Sequence, residues 1–228
     1  MSNFKTIFIT GANRGIGFEL LKESIFKNFF VIGTYRNKKK SQELLQMKSN
    51  KVKLFEMNVV DEKSILSVSK NISHSIDYLV CNAGINNGFG TLFDEDHSHK
   101  KMLDVLNVNV LGCILTIRHI SKHLNKGAKI IIISSILGVQ EHNGSNALIY
   151  RASKAAVNNV MVSISEDFKS KKITVSSFHP GWVRTDMGGP KATLSTKESA
   201  TSLINNFENL TFESTGKFFN YDGSLINF

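Results

Sequence analysis

Short, unbroken apolar runs alternate along this chain with longer stretches whose apolar residues recur at helical spacing. The runs at 4–10, 30–35, 51–57, 76–81, 128–134, 173–178 and 217–221 predict strands. The stretches 15–27, 39–48, 62–73, 98–124 and 150–168 predict helices. Ile130-Ile131-Ile132-Ile133 shows no polar alternation at all, which suits a strand covered on both faces, as in a parallel sheet. Strand–helix alternation implies right-handed crossovers and a doubly wound α/β sheet. No composition break, low-complexity tract or internal repeat divides residues 1–228, so one domain is expected. Three segments lack regular pattern: 84–98, 138–149 and 180–197. Each follows a predicted strand, and ligands of doubly wound sheets bind outside the carboxyl ends of the strands.

Composition narrows this picture. A hydrophobic fraction of 41% over 228 residues supports a buried core and excludes wholesale disorder. No uninterrupted apolar run approaches the length of a membrane span, and the N-terminus shows no signal-peptide pattern, so a soluble cytoplasmic protein is expected. Cys81 and Cys113 are too few for a disulfide framework and lack metal-ligand spacing; the histidines form no metal motif either, and no metal is expected. The net charge is +9, but the basic residues are scattered. The densest groups, Lys38-Lys39-Lys40 and Lys169 with Lys171-Lys172, are not interleaved with aromatics, so neither nucleic acid nor membrane is expected as a partner.

The first strand runs into Thr10-Gly11-Ala12-Asn13-Arg14-Gly15-Ile16-Gly17, and a helical pattern follows. Glycine permits the tight turn and the close approach of backbone to ligand. Free amides at the start of the helix favour an anionic pyrophosphate. The spacing G-x-x-x-G-x-G differs from the common G-x-G-x-x-G fingerprint, and a purely structural strand–helix turn is the bland alternative. Three glycines directly after the first strand favour a Rossmann-type dinucleotide loop.

Further motifs stand in order behind it. Asn82-Ala83-Gly84 follows the fourth strand; Asn109 lies in a predicted helix; Ser135 follows the fifth strand; Tyr150 and Lys154 form Y-x-x-x-K; Pro180-Gly181 precedes Thr185. With the glycine loop, these make the chain resemble the short-chain dehydrogenase/reductase family in its single-domain form, over nearly the whole length. The wording from Tyr150 to Ala156 and from Pro180 to Gly189 is similar to the sniffer and C-factor branch of carbonyl reductases. Asn58-Val59 stands where the family usually has Asp-Val, so an amide replaces the charge near an adenine edge. The interval from Ser135 to Tyr150 is longer than is usual in the family, which lengthens the loop beside the reacting carbonyl.

Tyr150 and Lys154 are four apart and share a helix face. An ammonium beside a phenol favours the phenolate, so a lowered tyrosine pKa and an acid/base role are expected. A hydroxyl at Ser135 suits hydrogen bonding to a substrate oxygen. The resemblance implies that Lys154 also contacts the nicotinamide ribose and that Asn109 holds a water of a proton relay. It implies cofactor contacts at Gly11, Asn13, Arg14, Gly15, Ile16, Gly17, Arg36, Asn58, Val59, Asn82, Ala83, Gly84, Tyr150, Lys154, Pro180, Gly181, Val183 and Thr185. The second strand ends in Arg36 with no carboxylate, and Arg14 sits inside the glycine loop. Guanidiniums suit a 2′-phosphate, so NADP(H) is expected over NAD(H).

Asn86, Phe89, Leu137, Val139, Gln140, Trp182 and Met187 are available to line a mostly apolar pocket for an uncharged aldehyde, ketone or alcohol, with Arg184 the only candidate carboxylate clamp. Broad apolarity from Val108 to Ile117 and from Val157 to Ile164 suggests burial on more than one side, and the resemblance implies that these helices form the contact of a homodimer or homotetramer. The expected function is therefore NADP(H)-dependent oxidoreduction of a carbonyl or alcohol. One rival is a cofactor-binding signalling or redox-sensing protein with incidental turnover. Another is a nucleotide-sugar epimerase, which generally needs more chain than the stretch 182–228 supplies.

Overall fold

The computed structural model describes residues 4–94, 97–142 and 144–228. Residues 95 and 96 of one irregular loop and 143 of another lie outside the described residues. One eight-stranded sheet has the order β3-β2-β1-β4-β5-β6-β7-β8. Its strands are β1 (Thr6–Ile9), β2 (Phe30–Tyr35), β3 (Val52–Glu56), β4 (Ile76–Cys81), β5 (Leu124–Ile133), β6 (Thr174–His179), β7 (Phe218–Asn220) and β8 (Leu225–Ile226). All neighbours pair in parallel except β8, which runs antiparallel to β7. The helices are α1 (Gly15–Phe26), α2 (Gln42–Gln46), α3 (Glu62–Lys70), α4 (His99–Leu106), α5 (Gly112–Ile120), α6 (Leu148–Asp167) and α7 (Thr196–Asn209).

Strand alternation divides the core in two. Ile7, Ile9, Val31, Val80, Ile131, Ile133 and Phe178 face α1 and α7, against Leu20, Leu21, Leu203 and Phe207. Phe8, Ile32, Leu79, Ile130, Ile132 and Val175 face α3, α5 and α6, against Ile65, Ile117, Val157 and Met161. Ile130 to Ile133 thus feeds both layers in turn, which is why that run shows no polar alternation. Each such side chain contributes roughly 1.5–3 kcal/mol by leaving water.

Most predicted elements stand where the pattern put them. Helix α7 and strand β8 were not expected. Helix α7 buries Ser199, Ala200, Leu203, Ile204 and Phe207 at helical spacing, and its start is set by a capping box, in which Ser195 and Glu198 each accept the other's backbone N–H. From His99 to His123 the chain is helical throughout, with a π turn (Asn107–Leu111) joining α4 to α5. By length and composition this stretch could cross a membrane. Its contacts with α3, α6 and β4 and the burial of Asn109 make it a core helix instead. Leu103 and Leu111 are nonetheless 43% and 50% exposed, which leaves an apolar face on the outside.

Candidate active site

The crevice opens at the carboxyl edge of the sheet, between β1 and β4, where the strand order reverses. Helix α1 enters it with no side-chain cap and no acidic residue in its first turn, so its leading amides face outward unpaired. Gly11 has φ +66° and Gly15 φ +54°, the left-handed region in which a Cβ is strained. A Cβ on Gly17 would stand 2.3 Å from the Gly11 carbonyl oxygen and 2.5 Å from Asn82 Nδ2. Gly17 therefore lets the first turn of α1 pack directly against the Gly11 carbonyl and the Asn82 amide, where no side chain would fit.

Asn82 ties this loop to β4. Its Nδ2 donates to the carbonyls of Thr10 at 2.9 Å and Gly11 at 3.2 Å. The Thr10 hydroxyl in turn accepts the backbone N–H groups of Asn82 and Ala83, both at 2.9 Å. Thr10, the first residue of the glycine-loop motif, thus ties that loop to the Asn82-Ala83 turn. Ile16 is partly buried and packs against the core. Asn13 Nδ2 donates to the Lys40 carbonyl at 3.3 Å, bringing the short Lys38–Lys40 turn against the glycine loop. Arg36 lies just past β2, exposed, with no ion pair among the described residues. Arg14 has an ion pair, to Asp186 of the loop after β6, and both partners are well exposed. Thr185 of the same loop lies 3.3 Å from the Cβ position of Gly15. Asn58 is partly engaged by its own turn, accepting the Val60 N–H at 3.4 Å, and Val59 is buried against Gly112.

The second cluster stands where β4, β5, α5 and α6 meet. Asn109 lies in the π turn, a helix irregularity common at functional sites. Its Nδ2 donates to the Ile85 carbonyl and the Ser153 hydroxyl, both at 2.9 Å, and its Oδ1 accepts the Ile85 N–H at 2.8 Å. The carboxamide is thus largely taken up by protein, so its visible work is to brace the Gly84–Ile85 turn against α6. Lys154 is almost wholly buried; its Nζ donates to the Ile133 carbonyl at 2.8 Å and sits 5.5 Å from the centroid of the Tyr150 ring. Ser135 is buried, caps the turn Ile136–Gly138, and hydrogen-bonds the Tyr150 phenol. Gly138 makes this packing possible: a Cβ there would stand 2.6 Å from the Lys154 carbonyl carbon.

Electrostatics here depart from the sequence expectation. Burial pushes the Tyr150 phenol up to about 12, and the Ser135 hydrogen bond only partly offsets this. Burial likewise pulls Lys154 down to about 8. The expected lowering of Tyr150 by Lys154 is therefore absent in the free protein. Desolvation penalises both charged forms, and the ammonium is directed at a backbone carbonyl, not at the phenol oxygen. Such a pair can still deliver a proton to a developing alkoxide, since the phenol is fully protonated near neutrality.

On the substrate side, the Ala147 N–H donates to the Phe89 carbonyl at 3.3 Å and so links the segments 84–98 and 138–149. Val139 is buried, while Phe89 and Trp182 are more than half exposed. Arg184 is engaged within the protein: its Nη1 donates to the carbonyls of Ala192 and Thr193, both at 2.9 Å, and its Nη2 stands 3.9 Å from the Glu198 carboxylate. The segment 180–195 is held together by such bonds, among them Trp182 Nε1 to the Gly188 carbonyl at 2.9 Å and the Gly188 N–H to Thr185 Oγ1 at 3.0 Å. Among the described residues no group of three or more His, Cys, Asp or Glu side chains could hold a metal ion.

Residues 5–194 match the family model described as short chain dehydrogenase. The chain belongs to the short chain dehydrogenase family. It is therefore an oxidoreductase, and its relatives agree. It is 33% identical over 154 residues to the C-signal protein of Myxococcus xanthus, covering 66% of this chain and 92% of that one. An uncharacterized oxidoreductase of Saccharomyces cerevisiae is 29% identical, with 96% of each chain covered. Among solved structures, the carbonyl reductase Sniffer of D. melanogaster superposes with a TM-score of 0.91 at 28% identity, covering 99% of this chain and 100% of that one. The NADPH-bound carbonyl reductase from chicken fatty liver gives 0.89 at 27%, with both chains fully covered.

Proposed function

We propose that the protein is an NADP(H)-dependent carbonyl reductase, using a Ser135–Tyr150–Lys154 site supported by Asn109. The observation that carries this reading is the junction of the glycine cradle with that cluster. Gly84 packs beside both Asn109 Oδ1 and Lys154 Nζ, so one turn joins the cofactor side to the proton-donating side. The glycine loop, Asn82-Ala83-Gly84 and the loop of Pro180, Gly181, Val183 and Thr185 would hold the cofactor; when bound, it supplies or accepts the hydride. Ser135 hydrogen-bonds the substrate oxygen, and Tyr150 gives it a proton. Lys154, cationic below pH about 8, fixes the ribose and places positive charge behind the phenol.

NADPH recognition falls chiefly on Arg36, because Asp186 already pairs with Arg14 and no carboxylate ends β2. NADP-bound and NADPH-bound structures among its structural relatives accord with this. The test is loss of reduced-nicotinamide absorbance with NADPH and with NADH, against aldehydes, ketones and quinones. Turnover favouring NADPH at least tenfold is expected, with Arg36→Asp reversing the preference. An unchanged ratio in that variant would remove Arg36 from the role.

We also propose that the outer apolar face of α4–α5 and α6 buries against a second copy. Leu103, Leu111, Leu148 and Val162 are each at least 40% exposed there. Light scattering should give a dimeric or tetrameric mass; a monomeric mass at micromolar concentration would exclude the contact.

A further inference from the structure

His179 ends β6, directly before Pro180-Gly181. The Ser134 N–H donates to the Phe178 carbonyl at 2.8 Å, which sets His179 beside the Ser134–Ser135 turn. Strand alternation fixes its side. Phe178 faces the α1–α7 layer, whereas the Ser177 hydroxyl, one residue earlier, reaches Asn158 of α6. The imidazole accordingly lies on the face that carries Tyr150 and Lys154.

No hydrogen bond to this ring exists among the described residues, and Nδ1 is shut away from solvent without a partner. A buried polar atom left unpaired costs about 1–3 kcal/mol, so its retention calls for a reason. An unfilled lone pair on Nδ1 is more tolerable than an orphaned N–H, which places the proton on Nε2. Burial and the neighbouring His142 hold the ring neutral, down to about 4, with Asp222 pulling weakly the other way. Protonation would add the very N–H at Nδ1 that has no acceptor. The result is a neutral donor whose open end, Nε2, is spent on nothing in the protein, one strand from the serine proposed to hold the reacting oxygen.

We propose that His179 Nε2–H donates a hydrogen bond to a second oxygen of the substrate, so that the preferred substrates are carbonyl compounds bearing another carbonyl or hydroxyl oxygen. This rests on the carbonyl-reductase reading. His179 selects and orients; it takes no part in the proton transfer itself. A site that offers a hydrogen bond discriminates against the analogue that cannot accept it, because its own polar group is then left unpaired.

The experiment compares cyclohexanone with 1,2- and 1,4-cyclohexanedione as NADPH-dependent substrates of the wild type, His179→Phe and His179→Gln. Wild type should favour at least one dione tenfold or more in kcat/KM. His179→Phe should erase the preference through KM, leaving cyclohexanone turnover and NADPH affinity by fluorescence within about twofold; His179→Gln, which keeps an N–H, should restore part of it. A preference that survives His179→Phe would overturn the proposal. So would a wild type that never favours a dione. A second readout needs no turnover: in Tyr150→Phe protein saturated with NADP+, the dione should shift the His179 ring signals in NMR spectra and cyclohexanone should not. Equal response to both ketones would overturn the assignment. Absence of turnover with every carbonyl would instead count against the reductase reading, and the NMR comparison would still decide the role of His179.

Discussion

Tyr150→Phe is expected to lower kcat/KM for carbonyl reduction about a thousandfold, within the usual range for loss of a general acid. That corresponds to roughly 4 kcal/mol of transition-state stabilisation. NADPH affinity should change little, because Lys154 is held by the Ile133 carbonyl independently of the phenol. Steady-state kinetics beside fluorescence titration of NADPH separates the two. Retained turnover would remove Tyr150 from the acid role.

The same residue gives the reaction a pH signature. With its pKa pushed up to about 12, the phenol remains a proton donor throughout the neutral range. Reduction should then be level up to pH about 8 and decline above it, as Lys154 loses its charge. Alcohol oxidation needs the phenolate and should rise with pH. A bell-shaped reduction profile with an acid limb near neutrality would mean that another group supplies the proton.

Gly17→Ala should have the second large effect. The added Cβ meets the Gly11 carbonyl oxygen at 2.3 Å and Asn82 Nδ2 at 2.5 Å, and the first is backbone that cannot swing aside. Overpacking of this kind costs about 3 kcal/mol or more. For a domain of this size that amounts to a fall in Tm of roughly 6–12 °C. Relief requires the loop to move off α1, which also displaces the amides proposed to hold the cofactor, so cofactor affinity should fall at least tenfold. Calorimetry and NADPH titration read the two effects. Gly15→Ala is the control: its Cβ would meet only the Thr185 methyl at 3.3 Å, and the strain is limited to its positive φ. Equal, small losses in both variants would show that the cradle yields more readily than its packing implies.

Much of this was legible in the chain itself. A strand buried on both faces has no polar residue to give it away as anything else, so Ile130 to Ile133 announced a central parallel strand. The glycine loop and the tyrosine–lysine spacing are local patterns, and local geometry carried them intact into α1 and α6. Helix α7 was legible too, since Ala200, Leu203, Ile204 and Phe207 recur at helical spacing behind the Ser195–Glu198 capping box. Strand β8 escaped because two residues carry no pattern at all. Segment 180–195 looked irregular because an isolated Val183–Leu194 bridge and scattered side-chain-to-backbone bonds hold it, and neither has a period.

The sequence by itself determined the strand–helix order, the face on which Lys154 follows Tyr150, and the presence of every residue of the proposed site. Only the tertiary structure decided their electrical state and their partners. Burial, a property of the assembled layers, raised Tyr150 and lowered Lys154 against the simple expectation from their adjacency. Long-range pairing gave Arg14 to Asp186, engaged the Asn109 carboxamide with Ile85 and Ser153, and left His179 without a partner. Spacing is inherited from the backbone and can be read one turn at a time. Solvation and partnership depend on residues far away in the chain, and these come together only when the sheet closes over them.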